Sequence, residues 1–429
     1  MVSTEARQRA TTTVVVAGQG YVGLPIAMRA VEAGYDVIGY EPDPGRAKRL
    51  IDADSYVEDV PDGVLSAAVA TGRYRTTDVP GGCAGFDIAV ITVPTPLKDG
   101  APDLSFIERC AEELAPLVRP GATVILESTT YPGTTEELLA PILERGSGLR
   151  AGEDFHVGYS PERIDPGNTT WTFATTPKVV SGIDGRSADV VAAFYRTLVD
   201  EVVPVSDPKV AELTKLLENT FRHVNIALVN ELAMFAGELG VDVWEAIDAA
   251  STKPFGFMRF TPGPGVGGHC LPVDPSYLSW RVKQTLGSSF RFVELANDIN
   301  DGMPHYVVQR AILNLNRRAK AINGSEILIL GFSYKRNSAD LRVSPGPRIY
   351  DDLQALGARV SFYDPVIGNM RSTEYRQTHN LNIENLDRTD LIILVTDHDA
   401  IDYAQLQSCS SSVLDTRRRL APKENVEYL

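Results

Sequence analysis

A chain of 429 residues with 43% hydrophobic content can bury more than one core, so two or three domains are expected. Its 56 acidic and 41 basic residues leave a net charge of −15, which argues against a surface built to neutralise nucleic-acid phosphates or an anionic membrane. No basic-then-apolar leader and no run of about 18 apolar residues occurs, so a cytoplasmic protein without a membrane partner is expected. The cysteines Cys83, Cys110, Cys270 and Cys409 have neither the spacing of a metal site nor the density of a disulfide framework; no metal is expected, and the thiols should be reduced.

The first elements form a βαβ unit. "TTVVVAGQGYVGLPIAMRAVEAGYDVIGYEPDP" reads as a buried strand (14–17), a glycine turn, a helix ending at Gly34 and a second strand (37–40) closed by Glu41. Gly18, Gly20 and Gly23 form G-x-G-x-x-G between strand and helix, the context in which the motif lets backbone approach a pyrophosphate at a helix N-terminus. Glu41 suits a ribose diol and would repel a 2′-phosphate, so NAD is favoured over NADP, a preference that Arg46 weakens. Further apolar strands at 88–93 and 123–126 end in the polar loops "VPTP" and "ESTTYPGT", and "HVGYSPERIDPGN" reads as a strand followed by a loop with Glu162 and Arg163. On local sequence alone, Thr129 and Glu162 fit turn capping as well as chemistry.

A long helix follows, opened by Asp207-Pro208 and stopped at Gly240. Leu213, Leu217, Val224, Leu228, Leu232 and Phe235 make one apolar face, which a second copy could cover. Lys215 and Asn219 fall one turn apart on another face, as a solvated pair or as part of a site.

Residues 253–275 hold five Gly and five Pro and read as an irregular, ordered loop. Cys270 within it is either a small buried hydrophobe or a nucleophile, and the flanking Gly267, Gly268 and His269, with their exposed amides and polar ring, favour the nucleophile. Asp274 fits either a proton acceptor or a turn starter. "SEILILGFSYKRNSADLRVSPGPRIYDDLQALGARVSFYDP" then repeats the opening pattern: strand 327–330, a helix after Ser344, strand 359–363 and Asp364-Pro365 where Glu41-Pro42 stood. The glycine fingerprint is missing and a longer loop with Lys335, Arg336, Asp340 and Arg342 replaces it, which suggests a phosphorylated ligand other than a dinucleotide. Strands at 391–395 and 413–414 complete a smaller sheet.

Taken together, "GQGYVGLP", "VPTP", "ESTTYPGT", "SPERIDPGN", "ELTKLLENT", "GPGVGGHCLPVDP" and "GFSYKRNSADLRVSP" resemble, in order and over nearly the whole chain, the nucleotide-diphosphate-sugar 6-dehydrogenases, typified by UDP-glucose and UDP-N-acetylhexosamine dehydrogenases. The resemblance implies an α/β chain of two Rossmann-like doubly wound domains joined by a long central helix. An NAD domain would span 1–205, a helical dimerisation region with the cysteine loop 206–320, and a nucleotide-sugar domain 321–429. It implies oxidation of a sugar C6 alcohol to a carboxylate with two NAD, through a Cys270 thiohemiacetal and thioester. Lys215 and Asn219 would stabilise oxyanions, and Thr129, Glu162 and Asp274 would position or activate water. Gly18, Gly20, Tyr21, Val22, Glu41, Arg46, Thr95 and Arg342 match cofactor contacts, while Arg163, Gly267 and Lys335 match the nucleotide-sugar site. A homodimer through the central helix is implied as well. "SPERIDPGN", "STKPFGFM" and "YLSW" are nearer the N-acetylhexosamine branch, from which Arg259 and Thr261 depart. Glucose, N-acetylglucosamine and N-acetylmannosamine, on UDP or dTDP, therefore stay open. Two other readings are a two-electron hydroxyacid-type NAD dehydrogenase, which would need neither the Cys270 loop nor the second α/β half, and an inactive NAD-binding scaffold.

Overall fold

Aliphatic runs punctuated by glycine turns become the strands of two separate parallel-type sheets. The structure, a computed structural model, describes residues 12–164, 168, 170–268, 270–368, 370, 374–379 and 381–429. The chain divides into two units, residues 1–218 and 219–429.

In the first unit the strands are β1 (Thr13–Ala17), β2 (Asp36–Tyr40), β3 (Tyr74–Thr77) and β4 (Ile88–Ile91). A short antiparallel ribbon of β5 (Leu97–Lys98) and β6 (Ala101–Pro102) comes next. Then follow β7 (Thr123–Leu126), β8 (His156–Tyr159), β9 (Lys178–Gly182) and β10 (Val202–Pro204). Eight of these form one sheet in the order β10-β9-β8-β7-β4-β1-β2-β3, parallel throughout except between β8 and β9. Helices α1 (Gly23–Glu32), α2 (Pro44–Ile51), α3 (Asp62–Ala70), α4 (Ser105–Leu114), α5 (Ala140–Ser147) and α6 (Gly185–Tyr195) connect the strands. Because the parallel strands are covered on both faces, they read as unbroken apolar runs: Val14, Val16, Val90 and Ile125 are fully buried together with Leu24 and Ile26 of α1. The order reverses between β1 and β4, and in open α/β sheets ligands bind outside the carboxyl ends of the strands at that point.

Helix α7 (Pro208–Ala236) begins in the first unit and ends in the second. Asp207 accepts the Lys209 N–H at 2.7 Å, which serves one of the amides that a helix start leaves without an internal partner. The second unit continues with α8 (Val243–Ser251), α9 (Cys270–Leu286) and α10 (Arg291–Arg317). Its α/β part comprises β11 (Glu326–Leu330), α11 (Pro345–Ala355), β12 (Arg359–Tyr363), α12 (Ile383–Asp387), β13 (Leu391–Leu394), α13 (Tyr403–Ser408), β14 (Ser412–Asp415) and β15 (Val426–Tyr428). The five strands run parallel in the order β12-β11-β13-β14-β15, with the reversal between β11 and β13.

Two sequence expectations are corrected. The run read as an irregular loop to residue 275 ends earlier, because Cys270 opens α9, with Pro272 and Pro275 inside the helix. Pro272 falls in the first turn, where backbone amides have no intrahelical partner to lose. The glycine fingerprint of the second half is split rather than lost. Gly331 N donates to Tyr363 O at 2.8 Å just as Gly18 N donates to Tyr40 O at 2.8 Å. A Cβ on Gly346 would lie 2.7 Å from Phe332 O, as one on Gly23 would lie 1.8 Å from Gly18 O. The Lys335 loop is thus an insertion between the turn glycine and the helix glycine.

Candidate active site

The first cluster lies at the carboxyl end of β1. Gly18 has φ +91°, and a Cβ there would sit 2.8 Å from Thr92 O, whereas Gly20 faces open space. Thr92 Oγ1 donates to the carbonyls of Ala17 and Gly18 at 2.9 and 2.8 Å, which ties the turn to the end of β4. Glu41, buried at the end of β2, accepts the N–H groups of Gln19 at 3.3 Å and Asp43 at 3.2 Å and the Tyr56 hydroxyl at 3.4 Å. The Arg46 guanidinium lies 5.5 Å from the Tyr56 ring centroid. Tyr21 is exposed, Val22 half-buried and Thr95 buried in the loop after β4. A glycine cradle with room above Gly20, closed on one side by an acid, fits the pyrophosphate and ribose of a dinucleotide.

A second cluster gathers around Glu162, in the loop after β8. Glu162 is 8% exposed; its Oε1 accepts the Ile164 N–H, while its Oε2 lies 3.6 Å from Lys178 Nζ and has no hydrogen-bond partner. Burial alone would raise this carboxyl, but the charges of Lys178 and Lys215 outweigh it and hold the carboxyl below its ordinary value. Lys215 itself is 7% exposed on α7. Thr129, half-buried in the loop after β7, sits between the buried Ser128 and Thr130. Arg163 pairs with Glu218 at 2.7 Å and donates to Pro177 O at 2.6 Å.

In the second unit, Asn219 Nδ2 donates to Asp274 Oδ2 at 2.6 Å, with both residues buried. This pair joins α7 to the helix that Cys270 opens. The Cys270 side chain and all of His269 lie outside the described parts of the structure. Gly267 and Gly268 are buried, not exposed: a Cβ on Gly267 would lie 2.5 Å from Tyr334 Cβ, and Gly268 (φ +85°) donates its N–H to Arg342 O at 2.9 Å. These glycines therefore let the cysteine segment press against the Lys335 loop, which takes the Gly268 amide away from any role toward the sulfur. Lys335 is half-buried in that loop, and Arg342 is paired with Asp340 at 2.6 Å.

The Lys335 loop is held by groups the sequence did not single out. Asn337 N donates to His398 Nδ1 at 3.0 Å, its Nδ2 donates to Asp399 at 2.6 Å, and Arg336 pairs with Asp399. Buried Asp364, standing where Glu41 stands in the first half, accepts the Phe332 and Ser333 N–H groups at 2.7 and 3.0 Å and lies 3.0 Å from His398 Nε2. Burial would raise the Asp364 carboxyl, but these hydrogen bonds hold it well below the usual carboxylate range. Asp364 is thus filled by its own chain. Also missed were Glu127, Lys178 and Tyr195, of which only Glu127 left a trace, inside "ESTTYPGT".

A Rossmann turn with an acid at the ribose position, followed by a second doubly wound sheet with a cationic loop at its own reversal point, defines the class of two-domain dinucleotide-dependent oxidoreductases. Three family profiles match in order: the UDP-glucose/GDP-mannose dehydrogenase NAD binding domain over residues 12–199, the central domain over 209–302 and the UDP binding domain over 328–422. The chain is 34% identical over 401 residues to a UDP-N-acetyl-D-mannosamine dehydrogenase of Pyrococcus horikoshii, covering 93% of each. It is 38% identical over 357 residues to a UDP-N-acetyl-D-glucosamine 6-dehydrogenase of Pseudomonas aeruginosa, covering 82% of each. A solved UDP-D-ManNAc dehydrogenase structure from Pyrococcus horikoshii superposes with a TM-score of 0.88 at 33% identity, covering 97% of this chain and 98% of that one. The chain belongs to the UDP-glucose/GDP-mannose dehydrogenase family, and it is an NAD-dependent nucleotide-sugar 6-dehydrogenase.

Proposed function

We propose that the protein oxidises the C6 hydroxymethyl of a UDP-N-acetylhexosamine to the uronic acid, a four-electron reaction completed without release of the aldehyde. The relatives named for UDP-N-acetylmannosamine and UDP-N-acetylglucosamine support this sugar class. Residues 1–205 hold NAD, 321–429 hold the nucleotide and 206–320 carry the cysteine. NAD, when bound, accepts one hydride from C6 in each of two oxidations.

The residues of the chain supply the rest. The C6 hydroxyl proton leaves by way of Lys215. The Cys270 thiolate then adds to the aldehyde, and Lys215 and Asn219 stabilise the oxyanion of the thiohemiacetal. After the second oxidation, a water held by Thr129, Glu162 and Asp274 attacks the thioester. Its C–O bond forms as the C–S bond breaks; the water gives its proton to Glu162, and the thiolate returns. Gly18, Gly20, Tyr21, Val22, Glu41, Arg46, Thr95 and Arg342 are assigned to the cofactor, and Arg163, Gly267 and Lys335 to the sugar nucleotide. Cys270 is the first residue of α9, the end of a helix where backbone N–H groups favour negative charge.

The observation that carries the reading is the buried Asn219–Asp274 bond in the first turns of the Cys270 helix, a polar pair whose burial a bare scaffold would not need. The test measures NADH formed per sugar across UDP- and dTDP-linked glucose, N-acetylglucosamine and N-acetylmannosamine. Two per UDP-N-acetylhexosamine is expected; one would indicate a two-electron dehydrogenase, and none with any sugar a scaffold.

A homodimer in the cytoplasm completes the proposal. Val210, Leu213, Leu217, Phe221, Leu228, Leu232 and Phe235 form a stripe along α7, each between 37% and 63% exposed. A contiguous apolar face of this kind marks an interface, and a second copy of α7 matches it. Cys83, Cys110 and Cys409 are buried and unpaired, in keeping with a reducing compartment.

A further inference from the structure

Behind Glu162 lies a buried group of charges for which the proposed reaction has no use. Lys178 opens β9 and is 3% exposed. Its ammonium pairs with Glu127, donates to Pro161 O at 3.1 Å and stands 3.6 Å from Glu162 Oε2. Tyr195 of α6 donates its hydroxyl to the other oxygen of Glu127 at 2.6 Å. The rings of Phe173 and Tyr195 each lie with their centroids 5.3 Å from Lys178 Nζ. A cavity lined by Glu162, Arg163, Phe173, Pro177 and Lys178 adjoins the pair.

Burying an ammonium is costly, and a purely structural pair would be satisfied by one carboxylate. Here two carboxylates share it unequally. Glu127 receives the close pairing and the tyrosine, while Glu162 receives the ammonium at ion-pair distance on its Oε2 and is drawn further down by a carboxyl contact with Glu127. We infer that Lys178, anchored from behind by Glu127 and Tyr195, is a positioning residue that keeps Glu162 charged and so able to accept a water proton. The inference rests on the reading that Glu162 belongs to the catalytic machinery.

The ionisation of the two acids agrees. Burial pushes the Glu127 carboxyl up to about 7 against the pull of Lys178, while Glu162 stays below its ordinary value. As pH falls, Glu127 is therefore the first of the two acids to take up a proton, and Glu162 is the one that stays charged. The charged and titratable groups facing Glu162 are Glu127 just after β7, Lys178 from β9, Lys215 from α7 and, more weakly, Tyr195 from α6. Tyr195 from α6 faces Glu127.

The test compares Lys178→Met, Lys178→Arg and the double variant Lys178→Met/Glu127→Gln, which removes the pair together so that Glu127 is not left as a second buried carboxylate beside the apolar side chain. Lys178→Met should raise the acid limb of the kcat–pH profile by about one unit and lower kcat about tenfold at pH values below the native limb, while KM for NAD and for the sugar nucleotide changes less than about threefold. The double variant should show the same displaced limb, and Lys178→Arg should restore it. A titration of Glu162 by carboxyl-carbon NMR in the ligand-free protein, assigned with Glu162→Gln, should show the same upward shift. An unmoved limb and titration in either folded Lys178→Met variant would overturn the inference. If Glu162→Gln retained full kcat, the catalytic reading of Glu162 would fail, and the NMR titration would still decide what Lys178 does.

Discussion

Asn219 Nδ2 donates to Asp274 Oδ2 at 2.6 Å, so a side chain of α7 and one in the opening turns of α9 are fixed against each other away from water. Removing the donor by Asn219→Ala takes one hydrogen bond from a buried carboxylate, which should cost about 1–3 kcal/mol of stability. If Asn219 also donates to the oxyanion of the reaction, kcat should fall about a hundredfold or more. Asp274→Asn keeps an oxygen facing Asn219 and should melt near the native temperature while losing turnover. Thermal melts and kcat for both variants check this; native turnover in Asp274→Asn would reduce the pair to a helix clamp.

The parts legible in the sequence were those in which partners are close along the chain. The strand at 123–126 and the glycine turn of the first half follow from local apolar runs and a tight motif, and they are found as β7 and the Gly18 turn. The start of α9 was hidden because Gly and Pro are counted as helix breakers, although a proline in a first turn costs no hydrogen bond. The second fingerprint was missed because an insertion separates Gly331 from Gly346. The place of Lys178 beside Glu127 and Glu162 left no signal, since Lys178 lies 51 positions from Glu127 and reads locally as an ordinary strand start. Likewise β15, paired with β14 at the sheet edge, was too short to separate from the polar tail around it.

The acid at the end of β2 sets a cofactor prediction. Glu41 is held by the Gln19 and Asp43 amides and Tyr56, so its carboxylate is fixed where a ribose diol would meet it and a 2′-phosphate would be repelled. The native protein should favour NAD over NADP in kcat/KM. Glu41→Ala should weaken NAD about ten- to a hundredfold and narrow the gap to NADP. A native preference for NADP would reject the assignment and point to Arg46.

Lys335 offers a test of how the two halves divide their ligands. Its loop is anchored by Asn337 and Arg336 to His398 and Asp399, so Lys335→Ala should remove a charge without unfolding the loop. Sugar-nucleotide affinity should drop about ten- to a hundredfold, and NAD affinity should stay nearly constant. Calorimetric titration of both ligands checks this; weakened NAD with an unchanged sugar nucleotide would reverse the two assignments.

The exposed stripe on α7 makes an assembly prediction. Leu217 and Leu228 are 63% and 53% exposed, so the double change Leu217→Glu/Leu228→Glu should be tolerated by the fold of one chain. It should shift the sedimentation mass from dimer to monomer, because two charges buried in a self-complementary face cannot be paired. A native protein that sediments as a monomer would leave the stripe without the occupant proposed for it.

Cys270→Ser separates the four-electron mechanism from every two-electron one. The substitution keeps the position at the start of α9 and nearly the same shape, but exchanges a thiol for a hydroxyl that is far harder to deprotonate. Alcohol oxidation needs Lys215 but no nucleophile, so slow formation of the first NADH should persist. Capture of the aldehyde should slow by orders of magnitude, and the count should fall from two NADH per sugar nucleotide toward one. Any ester that forms on the new serine hydrolyses less readily than a thioester, so it should accumulate and appear in the intact mass as a covalent sugar-nucleotide adduct. Because Gly268 spends its amide on Arg342, that amide cannot rescue the serine by stabilising an alkoxide. Full turnover by Cys270→Ser at two NADH per substrate, or a native count of one, would show that the cysteine merely opens a helix.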